Sequence, residues 1–332
     1  MTNDFDFIAL GDIVTDAFIE LNKQTAHINK DETGHSKLCL NFGDKLPYNQ
    51  VEIIPAVGNS PNASVSASRL GLNSALITNL GDDMYGKEAL GSLAKNKVDT
   101  RYATLHSNQK TNYHFVLRYG AERTILIKHE IYDYKLPENF TTRWLYLSSL
   151  GENSLAFHQD ISNYLKTQSY IKLAFQPGTF QINLGLKPLK ALYERSDLFF
   201  CNKEEARKIL NLPQSEIKDL LKAMTEAGPK IAVITDGPQG AYVYDGSTMW
   251  YMPIYPDPKE PVDRTGAGDS FSSTFTSMLA LGYDIPEALR LAPINSMSVV
   301  QHVGAQAGLL TLAELEAYLT KAPPDYQPTQ IN

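Results

Sequence analysis

The chain has 332 residues, room for two domains at roughly 150 residues each or one large domain with an appendage, and its 43% hydrophobic against 20% charged content supplies a core and excludes disorder as the dominant state. Lys+Arg number 30 and Asp+Glu 37, a net charge of −7, so the overall field attracts neither a nucleic-acid backbone nor an anionic membrane, and any phosphate must be held by local backbone geometry. Cys39 and Cys201, with no paired spacing, indicate neither a disulfide framework nor a thiolate zinc site.

The N-terminus carries Asp4 and Asp6 where a secretory leader needs basic residues, and no apolar run approaches the about 18 residues of a membrane span, so a soluble, cytoplasmic protein is expected. Phe7–Leu10 is a short continuous apolar run, the mark of a strand buried on both faces; Ala75–Ile77, Leu145–Leu147, Leu198–Phe200 and Ile231–Ile234 repeat it. Between these runs a helix is predicted from Ser60 as N-cap and Pro61 at the first helical position. Further helices are predicted over about 87–96, 186–195, 205–210 and 216–227, and the chain reads as helical from about 268 to Leu319. Strands alternating with helices imply βαβ units and a doubly wound, mostly parallel α/β sheet with helices on both faces.

Two segments break that rhythm. Residues 17–50 are polar and irregular and precede a β-prone Val51–Ile54, while residues 111–128 read as a hairpin, Tyr113–Leu117 and Thr124–Ile127 around a turn at Tyr119–Glu122. The expected organisation is a large α/β domain of residues 1–16, 51–110 and 129–321, a small β-rich lid from 17–50 and 111–128, and a loose tail over 322–332.

Gly81–Glu88 nearly spells a phosphate-binding G-x-x-x-x-G-K-[ST] loop, but Glu88 replaces the Mg²⁺-binding hydroxyl and Asp82 and Asp83 would put negative charge beside the phosphates. Its acids read better as caps of the next helix. No G-x-G-x-x-G, H-E-x-x-H or G-x-S-x-G pattern occurs. The informative stretch is Asp263-Arg264-Thr265-Gly266-Ala267-Gly268-Asp269, followed by an apolar helical face at Phe271, Phe275, Met278 and Leu279. Gly266 and Gly268 permit a tight turn whose unpaired N–H groups, at the positive end of that helix, form an anion site without a basic side chain. Asp269, in the first turn, is a poor phosphate ligand but is placed to take a proton from a hydroxyl attacking that phosphate. The plain alternative is a glycine turn with an ordinary helix-start acid.

The same stretch completes D-x-T-G-A-G-D, the C-terminal hallmark of the ribokinase-like (PfkB) carbohydrate kinases, which the chain resembles over about residues 5–320. Gly11–Asp16 is similar to the family's first strand and turn, Val57–Asn62 to its G-G-x-x-x-N, Gly81–Gly86 to its G-D-D-x-x-G, Asn202–Glu205 to its N-x-x-E and Thr235–Gly240 to its T-x-G-x-x-G. The resemblance implies an ATP-dependent kinase using Mg²⁺, with a monovalent cation such as K⁺ near Asp263 and Thr265, and a β lid that closes over the sugar and pairs two copies. It implies Gly266, Ala267 and Gly268 as the cradle of the transferring phosphoryl group and Asp269 as general base. Asp16, Gly58, Asn59 and Asn62 would hold the hydroxyl-bearing substrate. Asn202, Thr235, Gly237, Gly240 and Asn295 would face the nucleotide, with Glu205 linked to Mg²⁺ through water.

One departure stands out: Val57 occupies the place of the first glycine, and because a β-branched residue is costly at positive φ, either the turn there is more ordinary or backbone approaches the substrate less closely. Arg123 and Lys128 in the hairpin would suit an acidic acceptor such as 2-keto-3-deoxygluconate if they face the pocket. Tyr113 or Tyr119 would suit a nucleoside if either stacks on a base; Tyr113 and His114 serve equally as lid packing, and Cys201 as core. A non-catalytic sugar or nucleotide sensor on the same fold has no need of Asp269.

Overall fold

The structure is a computed structural model that describes residues 4–32 and 34–331; the first three residues of the acidic N-terminus, and Asn332 at the end of the tail, lie outside the described residues. The chain enters through Phe5–Leu10 (β1), leaves the main body through Val14–Leu21 (β2), Ala26–Lys30 (β3), Ser36–Leu40 (β4) and Tyr48–Val57 (β5), and returns with Asn59–Arg69 (α1), Ser74–Gly81 (β6), Met84–Lys95 (α2) and Ala103–His106 (β7). A second excursion forms Asn112–Tyr119 (β8) and Glu122–Leu126 (β9). The body continues with Thr142–Leu147 (β10), Leu155–Thr167 (α3), Lys172–Phe175 (β11), Thr179–Leu184 (α4), Leu186–Arg195 (α5), Leu198–Asn202 (β12), Lys203–Leu210 (α6), Ile217–Glu226 (α7) and Ile231–Thr235 (β13). Ala241–Tyr244 (β14), Met249–Met252 (β15), Ala267–Leu281 (α8), Ile285–Val299 (α9), Leu312–Thr320 (α10) and Thr329–Ile331 (β16) complete it.

The large sheet runs β16-β15-β14-β13-β12-β11-β10-β1-β6-β7, parallel from β13 to β7 and antiparallel over its last three strands. Both faces are covered, which is why the strands read as unbroken apolar runs. Trp144 and Tyr146 of β10 belong to one core cluster, and Leu145 and Leu147 to the other. The two excursions form a separate sheet, β5-β2-β8-β9, with β2 and β8 parallel, and a two-stranded β3-β4 ribbon beside it. The polar stretch after Leu21 thus hides two strands that alternation did not reveal, because most of their residues are exposed.

Three local expectations need correction, and at Val57 the more ordinary turn holds. The cap of α1 is Gly58 at φ 119°, not Ser60; the Ser60 hydroxyl instead donates to the Leu10 carbonyl, tying the helix to β1. Val57 carries no positive φ. The left-handed residues of that turn are Ala56 at φ 61° and Gly58, so the substitution sits where a side chain is tolerated. The tail is not loose: Thr329–Ile331 pairs with β15, and Tyr326 is buried, its hydroxyl donating to the Arg290 carbonyl. The lid strands β2 and β5 reach Val14 and Val57, beyond the expected lid limits of 17 and 50. The near-P-loop is a helix cap, as read: Asp83 accepts from the Gly86 N–H at 2.8 Å, and Thr111 bonds keep its carboxylate pKa low despite burial. Among the described residues no helix is long and apolar enough to cross a membrane.

Candidate active site

The parallel strands deliver polar residues to one edge. β1 runs into Asp12, β11 into Gln176, β12 ends on Asn202 and β13 on Thr235, at the carboxyl edge where open α/β sheets take ligands. Two clefts open there. One, of about 370 Å³, lies under the lid and is lined by Asp12, Asp16, Asn59, Asn62, His114 and Asp269 among others. The second, of about 440 Å³, is lined by Gly237, Pro238, Gly240, Ile254, Tyr255 and Met297 among others. Asn202, Thr235, Arg264, Ala267, Gly268 and Phe271 line both, so the clefts meet along the glycine turn.

That turn is built by backbone constraint. Gly266, at φ 80°, is the N-cap of α8, and a Cβ there would stand 2.7 Å from Ala305 Cα, so glycine is required. Gly268 faces open space. Buried Asp263 clamps the approach: Oδ1 accepts from the Thr265 N–H at 3.0 Å and its hydroxyl at 2.8 Å, and Oδ2 from the Gly304 N–H at 2.9 Å. One oxygen is occupied within the loop and the other by the segment at Gly304, so Asp263 acts first as the loop's anchor. The opening N–H groups of α8 point into the seam between the clefts, without helical acceptors.

Asp269 lies at the seam on three carboxamides. Asn59 Nδ2 and Gln176 Nε2 donate to Oδ1 at 2.9 and 3.1 Å, and Asn62 Nδ2 donates to Oδ2 at 2.9 Å. Burial raises its pKa; the three donors, and the positive charge of Arg123, act against that rise and favour the carboxylate. Gln176 is oriented in turn by Tyr146, whose hydroxyl donates to Oε1 and lies 2.8 Å from Ser272 Oγ.

In the same lidded cleft, Asp12 accepts from the Tyr134 hydroxyl at 3.0 Å and pairs with His129 Nδ1 at 2.8 Å. Asp16 on β2 faces His114 on β8, Oδ1 to Nδ1 3.6 Å. Burial, reinforced by Asp263, pushes Asp16 up to about 7, while burial and His129 bring His114 down to about 4. His114 is therefore uncharged at neutral pH, and the contact is not an ion pair. Asp16 Oδ1 and His114 Nε2 are buried without partners, a donor–acceptor set left open for hydroxyls.

The structure brings most of the expected residues together. Asp16, Gly58, Asn59, Asn62, Gly266, Ala267, Gly268 and Asp269 line the lidded cleft, with Asn202, Glu205, Thr235 and Thr265; Gly237 and Gly240 line the second. Asn59 and Asn62 point at Asp269 rather than standing free. Glu205 closes a capping box with Asn202, and burial raises its pKa. Asn295 does not face the nucleotide side: fully buried, it donates to Thr274 Oγ1 at 2.8 Å and accepts from the Leu310 N–H at 3.0 Å. Its neighbours Pro293, Ser296 and Met297 line the cleft instead. Tyr113 packs against Tyr85 and Phe115 outside both clefts, and Lys128 pairs with Glu130 in solvent. Sequence reading missed Gln176 and His129; a polar residue closing a strand before Pro177-Gly178 is a signal for the first, and none marks the second.

A family model described as pfkB family carbohydrate kinase matches residues 54–312. Ribokinase of Bacillus subtilis (strain 168) is 29% identical over 284 residues, 84% of this chain and 92% of the relative. Nucleoside kinase of Methanocaldococcus jannaschii is 25% identical over 306 residues, covering 87% and 95%. The structure of Arabidopsis thaliana ribokinase complexed with ribose and ATP superposes with a TM-score of 0.75 at 18% identity, over 95% of this chain and 98% of that one, a likeness of fold.

Proposed function

The chain belongs to the pfkB family of carbohydrate kinases, phosphotransferases with an alcohol group as acceptor, and from that premise we propose that it transfers the γ-phosphoryl group of ATP to a hydroxyl of a neutral sugar. The observation that carries the reading is the seam. A carboxylate held by three neutral donors stands beside an N–H-rich glycine turn, at the junction of a polar lidded cleft and a second, more apolar one. The sugar occupies the first cleft with hydroxyls on Asp12, Asp16, His114 and Asn59, and the nucleotide lies in the second across Gly237 and Gly240.

Asp269 accepts the proton of the attacking hydroxyl, and the turn at Gly266–Gly268 receives charge developing on the phosphoryl oxygens. Mg²⁺ is held by few protein carboxylates and mostly by phosphates and water. Glu205 and Asn202, beside the seam, would hold such an ion through water, and it would supply charge neutralisation there. The lid covers the acceptor with Ile125 and Ile127, which excludes water as a competing acceptor. A monovalent cation near Asp263 and Thr265 would stiffen the same loop.

The neutral sugar is preferred over a nucleoside because Tyr113 lies outside the cleft and Tyr119 is not among its lining residues. Arg123 faces the cleft, which speaks for a sugar acid, but Lys128 does not, and the neutral sugar is preferred because Asp12 and Asp16 line the same cleft. A sensor has no observation in its favour, given the intact base and turn. Pairing of two copies through the lid draws support from Val51, Ile53, Phe115 and Leu126, exposed on the sheet face opposite Asp16 and His114; sedimentation tests it. The deciding experiment is an ADP-release screen over pentoses, hexoses, keto sugar acids, phosphorylated sugars and nucleosides, with and without K⁺. Turnover confined to neutral sugars is the expected result, and turnover confined to acids or nucleosides overturns the acceptor assignment.

A further inference from the structure

Arg123 extends from β9 into the lidded cleft, where its Nε is buried without a hydrogen-bond partner, and no carboxylate forms an ion pair with it among the described residues. A guanidinium Nε left unpaired in such a place has lost its hydration without a compensating bond, unless a ligand supplies the acceptor. The register of the lid says where that anion lies. Arg123 is opposite Arg118, which donates to the Val262 carbonyl at 3.2 Å, and the adjacent Glu122 meets Arg264 at 3.6 Å. Both ties run to the segment that leads into the glycine turn. His114, four residues before Arg118 on β8, faces Asp16. Arg123 therefore stands at the phosphoryl end of the lid, and its charge reaches Asp269. Asp12 and Asp16, which line the same cleft, disfavour an anion beside them.

We propose that Arg123 is a further catalytic residue, a guanidinium that the lid brings onto the oxygens of the phosphoryl group as it crosses the glycine turn. The inference rests on the kinase reading above and deepens it. In the transfer, the acceptor oxygen forms its bond to the γ-phosphorus while the bond to the β–γ bridging oxygen breaks. The electron pair leaves with ADP and the hydroxyl proton passes to Asp269. Negative charge is spread over oxygens that the α8 N–H groups meet from below, and a planar five-donor cation meets them from the lid. The ties at Arg118 and Glu122 fix the strand end that carries it, so the charge arrives only with the lid in place.

The test compares the parent with Arg123→Ala and Arg123→Lys, each first checked for an unchanged melting temperature. Binding of MgADP alone is expected to stay within about threefold in all three. The extra affinity that aluminium fluoride confers on MgADP, and kcat with a neutral sugar found in the screen, are expected to fall by about 10²–10³-fold in Arg123→Ala. The sugar KM should stay within about threefold, and Arg123→Lys or added guanidinium should restore part of the loss. Unchanged kcat and fluoride response in Arg123→Ala overturns the inference alone. So does a loss seen only as a raised KM for phosphorylated or acidic sugars, which would make Arg123 an acceptor reader. A parent that binds no MgADP overturns the kinase reading, and this inference with it.

Discussion

The two clefts share one seam but are made in different ways. The lidded cleft is a side-chain site: Asp12, Asp16, His114 and His129 come from the turn after β1, from β2, from β8 and from the segment after β9, and Asp16 and His114 carry polar atoms left open within it. The second cleft is mostly backbone, proline and apolar surface, shaped by Gly237 at φ 52°, Gly240 at φ 87° and Pro238, Pro253 and Ile254. A site of backbone turns accepts the phosphates common to many reactions, whereas a site of long-range side chains selects one acceptor. The difference can be pressed by substitutions on each side of the seam.

The largest effect is expected at the seam itself. Asp269→Asn removes the base while keeping an acceptor for the Asn and Gln carboxamides, so kcat should fall by about 10²–10⁴-fold with ATP binding nearly unchanged. Near-parental turnover would remove Asp269 from the mechanism. Gly266→Ala acts through backbone: a methyl group at φ 80° meets Ala305, and the turn must move. Turnover should drop by about 10²–10³-fold, the loss seen when one anion-hole donor is displaced, with the sugar KM little changed. A raised sugar KM with normal kcat would put the turn on the acceptor side instead.

On the acceptor side the effects are smaller and depend on pH. Asp16, pushed up to about 7, is largely protonated below that pH and a full carboxylate above it. Its capacity to accept two hydroxyls should therefore make the sugar KM fall as pH rises through about 7, and Asp16→Asn should flatten that profile. The linked stability has the opposite sense. An acid whose folded-state pKa exceeds its unfolded value near 3.8 loses folding stability as pH climbs from about 4 to 7. Asp16→Asn should consequently raise the melting temperature at pH 8 and leave it unchanged near pH 3; equal shifts at both would refute the linkage. Gln176→Leu removes one donor that lowers the Asp269 pKa, so the acid limb of the pH–rate profile should move upward. A fall in kcat with an unmoved limb would assign Gln176 a purely structural part.

What could be read from the chain follows the same division. The strands buried on both faces, and the turn from Asp263 to Asp269, are contiguous in sequence, and their chemistry follows from local spacing, so both were legible. The lid was legible as a hairpin at 111–128, because its turn at Gly120 is local. It was not legible at 26–40, where exposed residues such as Ile28 and Leu40 give no alternating pattern. His129 and Asp12 approach each other across 117 positions, and Gln176 and Asp269 across 93, so no spacing rule could pair them. The same holds for the orphaned Arg123 Nε, which becomes meaningful only once the lid register is known.

Asn295 marks the limit of transferring a role by position, and it carries the smallest expected effect on activity. Buried between α8 and the start of α10, it spends its amide on Thr274 and its carbonyl on the Leu310 N–H. Asn295→Ala leaves the Leu310 N–H without a partner, at a cost of about 1–3 kcal/mol. The melting temperature should fall by several degrees while the KM for ATP stays within about twofold, because Pro293, Ser296 and Met297, not Asn295, line the second cleft. A raised KM for ATP at constant stability would restore Asn295 to the nucleotide side and show that α9 turns when nucleotide binds.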